Sequence, residues 1–158
     1  MPNWTTNTLM VSGSPKVLRE MVESVKNGDN PFSLEKITGP EPDWASTPNE
    51  NGELPTLVVD PPMSECLTWA NGEQDMRWRE WRDDNWGTKW DTCDTEVVHE
   101  SKNDWQVEFL TAWCDPEPAI RTLAKKFPSL KFRLYAEHEC GSAPSDYTYC
   151  YAYADIVS

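Results

Sequence analysis

Along residues 4–12 β-branched threonines lead into Leu9 and Val11, two apart on one face, and Gly13 closes the run. That pattern predicts a strand. Ser14 and Pro15 then supply a cap and a proline at the first helical position. Val17, Leu18, Met21, Val22 and Val25 follow at helical spacing up to Gly28, predicting an amphipathic helix. The pattern then breaks down. Seven of the thirteen prolines lie between Pro31 and Pro62, which predicts loop. Within it, Phe32, Leu34 and Ile37 suggest a short strand or an anchored loop, and Leu57, Val58 and Val59 a central pin. A loop of this length inside a compact domain is either functional or poorly ordered.

Order returns at 73–84, where Trp78 and Trp81 fall three apart with Met76 nearby, predicting a short helix with its arginines wet. Residues 93–100 and 105–113 read as two strands of a hairpin, the second alternating Trp105, Val107, Phe109, Thr111 and Trp113. Asp115-Pro116-Glu117-Pro118 opens a second helix with Ile120, Leu123, Ala124 and Phe127 inward, and Pro128 ends it. A strand over 130–138 buries Phe132, Leu134 and Ala136, and a last strand is predicted over 147–155. Leaving out the insertion at 29–88 and the last strand, the order is β-α-β-β-α-β, the ferredoxin-like α+β layout. Both helices are expected on one face of an antiparallel sheet. At 158 residues the chain reads as a single domain.

Composition narrows the function. The net charge of −13, from 27 acidic against 14 basic residues, argues against direct nucleic-acid binding, which depends on neutralising phosphates with Lys and Arg. It suits solubility, a basic partner, or mimicry of a nucleic-acid surface. Five cysteines at scattered positions do not form a secreted disulfide pattern. No apolar leader or membrane-length run is present, so the expectation is a protein with no membrane association that stays where it is made.

Nine tryptophans are many for this length, and the segment Asn85-Trp86-Gly87-Thr88-Lys89-Trp90-Asp91 concentrates two of them around a glycine and a lysine. Lys89 between the indoles could hold a cation–π contact. The competing expectation puts Trp86 and Trp90 in the core, with Lys89 paired to an acid outside. Tyr147, Tyr149, Tyr151 and Tyr153 fall at period two and share one face. Assigned to the open sheet face beside Lys131, Arg133 and Tyr135, they would suit stacking of single-stranded RNA, unless the insertion's Trp69, Trp78 and Trp81 cover them. His138, Cys140 and Cys150, with Cys93 or His99, lack zinc-site spacing, and Cys140 and Cys150 read as inward apolar residues. No catalytic motif, metal site or cofactor is implied. Neighbouring carboxylates such as Asp83-Asp84 are expected by chance among 27 acids.

Met1-Pro2-Asn3-Trp4, Asn7 and Val11-Ser12-Gly13 resemble the N-terminal signature of the YubB ferredoxin-like family of conjugative plasmids and phages. Asn85–Asp91 is similar to that family's central signature, as is Phe109 to Trp113 running into Pro116-Glu117-Pro118. Thr5 departs from it, since relatives often carry Cys there, and 38–64 does not align. The resemblance implies a mobile-element origin, a bacterial cytoplasmic setting and no nameable reaction. The leading expectation is an accessory protein that binds a host protein, in one form a counter-defence inhibitor of the anti-CRISPR kind acting on a nucleic-acid-binding defence complex. The alternatives are a small-ligand or nucleotide module with a Trp/Tyr-lined pocket and single-stranded RNA binding on the Tyr face. Candidate binding residues are Trp81, Asn85, Trp86, Lys89, Trp90, Asp91, Tyr149 and Tyr151.

Overall fold

In a computed structural model of the chain, residues 3–60 and 64–151 are described. They form two compact units, 1–39 with 82–158, and 40–81. The larger is an antiparallel five-stranded sheet with helices. β1 (Trp4–Ser12) runs at its centre, followed by α1 (Pro15–Ser24) and a short α2 (Leu34–Thr38). The smaller unit carries β2 (Thr56–Asp60) and β3 (Ser64–Thr68), and α3 (Arg77–Asn85) runs from it back into the larger. There follow β4 (Cys93–Glu100), β5 (Asp104–Ala112), α4 (Glu117–Lys126), β6 (Lys131–His138) and β7 (Ser145–Tyr149).

The sheet order is β4-β5-β1-β6-β7. With β7 set aside, β1-α1-β4-β5-α4-β6 is the ferredoxin-like arrangement, and β7 adds an edge strand beside β6. Alternation explains why one face is sealed. On β1, Thr5, Asn7, Leu9 and Val11 are buried, opposite Thr111, Phe109, Val107 and Trp105 of β5, which are buried too. Phe132, Leu134 and Ala136 of β6 complete this face. Leu18, Met21 and Val22 of α1 and Ala119, Ile120, Leu123 and Ala124 of α4 are the buried stripes of the helices. A Cβ on Gly13 would lie 2.4 Å from Leu130 Cδ2, so a larger residue there would force that buried leucine to shift. No helix of the described residues is long and apolar enough to cross a membrane.

Phe32, Leu34 and Ile37 anchor not a strand but α2, and all three are at most 1% exposed. Phe32 lies 5.0 Å from Phe109 and 6.2 Å from Trp105, centroid to centroid. The cap of α2 comes from far along the chain. Asp91 accepts from the N–H groups of Leu34 (2.7 Å) and Glu35 (3.3 Å) and from Ser33 Oγ (2.8 Å). A five-residue helix has little stability of its own, so this cap and the buried apolar contacts hold it. At its other end Lys126 Nζ donates to the Ile37 carbonyl.

The 40–81 unit contains a hairpin where loop was expected, β2 and β3 pairing from Thr56↔Thr68 to Asp60↔Ser64. Leu57, Val58 and Val59, expected to be a central pin, are 56%, 41% and 62% exposed. The centre is Arg77. Its guanidinium carbon lies 5.0 Å from the Trp44 ring centroid and 4.9 Å from that of Trp69. Its nitrogens donate to Asp75 and to the carbonyls of Trp44, Thr47 and Pro48. Asp75, 1% exposed, also accepts the Arg77 backbone N–H at 3.0 Å.

The candidate functional site

The Asn85–Asp91 segment does several different jobs. Asn85 closes α3. Trp86 is 4% exposed and donates its indole N–H to Thr38 Oγ1 (3.1 Å), with the Arg82 guanidinium 5.2 Å from its ring centroid. Gly87 turns with φ of 86°, and a Cβ there would lie 2.5 Å from Pro118 Cδ, so the backbone passes against α4 where only glycine fits. Thr88 is buried and donates to the Ala112 carbonyl at 2.8 Å. Asp91 caps α2. These contacts fasten the segment to the sheet and helices of the larger unit.

Lys89 and Trp90 point elsewhere. Trp90 is 39% exposed, which corrects the expectation that it enters the core beside Trp86. Lys89 Nζ is over the Trp90 ring at 4.4 Å and 5.9 Å from the Trp113 centroid, so its neighbours are two indoles and not the expected acid. Trp4 adds a third indole, tilted 43° to Trp90 at 6.1 Å. Trp113 is 46% exposed and adopts φ of 69°, uncommon for a bulky residue. Two hydrogen bonds hold that conformation: its N–H donates to Asn3 O at 2.8 Å, and Thr5 Oγ1 donates to its carbonyl at 3.2 Å. Trp4, Lys89, Trp90 and Trp113 thus form a cationic aromatic patch beside the start of β1 and the end of β5.

Trp4 and Trp113 were missed as site residues, although Trp4 carries a signal. It lies on the even parity of β1, shared with Thr6 and Thr8, where a large apolar ring on the polar face is out of place. Trp113 follows the buried parity of β5, and only the left-handed turn takes it out.

The tyrosines correct a second expectation. Tyr147 pairs with Leu134 and Tyr149 with Phe132, so they share the helix-covered face, while Thr148 and Asp146 accompany Arg133 and Tyr135 on the open one. Tyr149 donates to Glu117 Oε1 of α4 at 2.6 Å, and burial, then this bond, pushes its phenol pKa up, keeping it protonated. Tyr151 lies against it, ring centroids 6.1 Å apart. The strand stops at Tyr149, and Tyr153 lies outside the described residues. Among the described residues the open face therefore carries no tyrosine ladder. Trp86 is buried, whereas Tyr149 is turned to α4 through its bond to Glu117. Trp81 belongs to the smaller unit, half-buried on α3.

Cys140 is exposed and Cys150 half-buried, so neither is the core residue expected. His138 contacts Thr5 Oγ1 and Ser145 Oγ, each at 3.1 Å. Among the described residues no group of three or more His, Cys, Asp or Glu side chains could hold a metal ion.

Residues 85–145 match the family described as the ferredoxin-like domain in Api92-like protein. The match takes in β4, β5, α4, β6 and the Asn85–Asp91 segment. It supports the ferredoxin-like fold read from the sheet order. No curated protein and no solved structure matches this chain.

Proposed function

We propose that this chain is a non-catalytic accessory protein of phages or plasmids that acts by binding a protein of its bacterial host. The observation that carries the reading is the patch of Trp4, Lys89, Trp90 and Trp113. Trp90 and Trp113 are among the largest side chains in the molecule, yet both are more than a third exposed. Exposed indoles on a rigid frame are what protein interfaces use as anchors, because they bury much area at little entropic cost. The resemblance to the plasmid and phage family supports the mobile-element setting. The charge of −13 favours a partner with a basic surface, and a nucleic-acid-binding defence complex has one.

Affinity purification from host lysate tests the reading. The intact protein should retain a stoichiometric host protein, more weakly at high salt because exposed charges are screened. Trp90→Ala with Trp113→Ala should abolish retention while costing at most about 1 kcal/mol of stability, the scale of an exposed cation–π contact. If the intact protein retains no stoichiometric partner, or if the double variant retains it fully, the reading fails.

A further inference from the structure

A second feature lies on the open sheet face, away from the indole segment. Four strands of the larger unit border a concavity of about 320 Å³. Strand register arranges its walls. His99 pairs with Gln106, Gln106 with Met10 and Met10 with Arg133, forming one row across the sheet. Asp104, Ser12 and Lys131 form the next row. Lys131 and Arg133 are two apart on β6 and so project together. Asp146 fixes the Arg133 guanidinium through two hydrogen bonds, Nε to Oδ1 at 3.1 Å and Nη2 to Oδ2 at 2.8 Å. Roughly 10 Å away, two strand spacings across the sheet, β5 presents the Asp104 carboxylate and the Gln106 amide. Met10 provides an apolar surface between them.

A ligand matching this order is anionic at one end, flat and apolar in the middle, and rich in hydrogen-bond donors at the other. We propose that the concavity binds a nucleoside monophosphate. Its phosphate pairs with Lys131 and Arg133, and its base lies over Met10 with a polar edge on Gln106 and Asp104. Arg and Lys are the side chains that hold phosphate, and an Asp acceptor selects a base carrying an amino group. The volume is at the lower end of the small-ligand range, about 300–1,000 Å³, which suits one nucleotide.

A longer strand is opposed by the neighbouring face. Glu108 opposes Thr8 on β1 and Glu96 on β4, while Glu137 opposes Thr6 on the other side of β1. Adjacent phosphates would meet these carboxylates. The site therefore separates mononucleotide binding from the RNA binding suggested by the tyrosine pattern.

Isothermal titration of the full chain with GMP, CMP, UMP, inorganic phosphate and a single-stranded oligonucleotide tests the proposal. GMP or CMP should bind more tightly than both UMP and phosphate. Lys131→Ala and Arg133→Ala should each weaken binding about tenfold, the loss of one charge-assisted contact, at unchanged melting temperature. Asp104→Asn should narrow the difference between GMP and UMP. Trp90→Ala should leave all of this unchanged, so the result is independent of the protein-binding patch. No binding at millimolar nucleotide would overturn the proposal. Phosphate binding as tightly as GMP, indifference to both β6 substitutions, or an oligonucleotide binding more tightly than any mononucleotide would also overturn it.

Discussion

At the centre of the larger unit Phe109 lies against Phe32 among leucines, valines and alanines that are almost wholly buried. At the centre of residues 40–81 stands a guanidinium between two indoles. Among the described residues of that smaller unit only Pro55 and Asp75 are buried. The difference follows from size. A sheet with helices can enclose apolar volume, whereas a unit of about 40 residues encloses too little to hold itself by burial alone and needs a staple. Disulfides or metals often supply one. Here Arg77 does so, by stacking, by an ion pair with Asp75 at 2.9 Å, and by bonds to three backbone carbonyls. An apolar core resists change everywhere in proportion to the volume removed. A staple fails at one residue.

The largest effect should come from the core. Phe109→Ala is expected to cost about 3–5 kcal/mol and to lower the denaturation midpoint of the whole larger unit, measured by circular dichroism. A loss below about 1 kcal/mol would mean that the aromatic centre is loosely packed. Next is Arg77→Ala, expected to cost about 2–3 kcal/mol because Asp75 is left charged without its partner. Arg77→Lys should recover little, since an ammonium keeps the charge but loses the planar fork. Hydrogen exchange should show the loss confined to 40–81, with β1 and β5 amides as protected as before. Uniform deprotection would break the contrast between the units.

The smallest effect is the response to acid. Burial raises the Asp75 pKa, but the Arg77 guanidinium and N–H outweigh it, so the carboxyl stays below its ordinary value of 3.8. The stabilisation is thus complete above that pH and is lost as pH falls through the lower folded value. Hydrogen exchange along an acid titration should show 40–81 opening in that range, and Asp75→Asn should remove the dependence. The contrast weakens if both units open together in the variant as in the parent.

Much of the larger unit was legible because its strands alternate and its helices carry capping prolines. The Leu9–Val11 face, the 105–113 strand and the Ile120–Leu123–Ala124 stripe all follow from local periodicity. The short α2 was not legible, since its cap is Asp91, 57 residues away in sequence from Leu34. The β2–β3 hairpin was hidden by the prolines around it and by an apolar run that remains exposed. The tyrosine face was misassigned because alternation gives only which residues share a side. Pairing across the 139–144 turn decides which side it is, and a shift of one residue reverses it. The indole patch was half legible. Lys89 and Trp90 stood out, while Trp113 joins them only through a backbone conformation that local pattern does not encode.

One edge of the five-stranded sheet has a further consequence. Among the described residues β4 leaves one side unpaired, and an open strand is a template on which another chain can add. Its pairing with β5 shifts register twice, between Cys93 and Glu96 and between Val97 and His99, so the edge is bent where a flat one would accept a new strand. Asp94, Glu96 and Glu100 along it are exposed, and an incoming strand would have to place its backbone among their charges. The irregularity that spoils the local hydrogen-bond ladder is therefore an obstacle to a second molecule adding edge to edge.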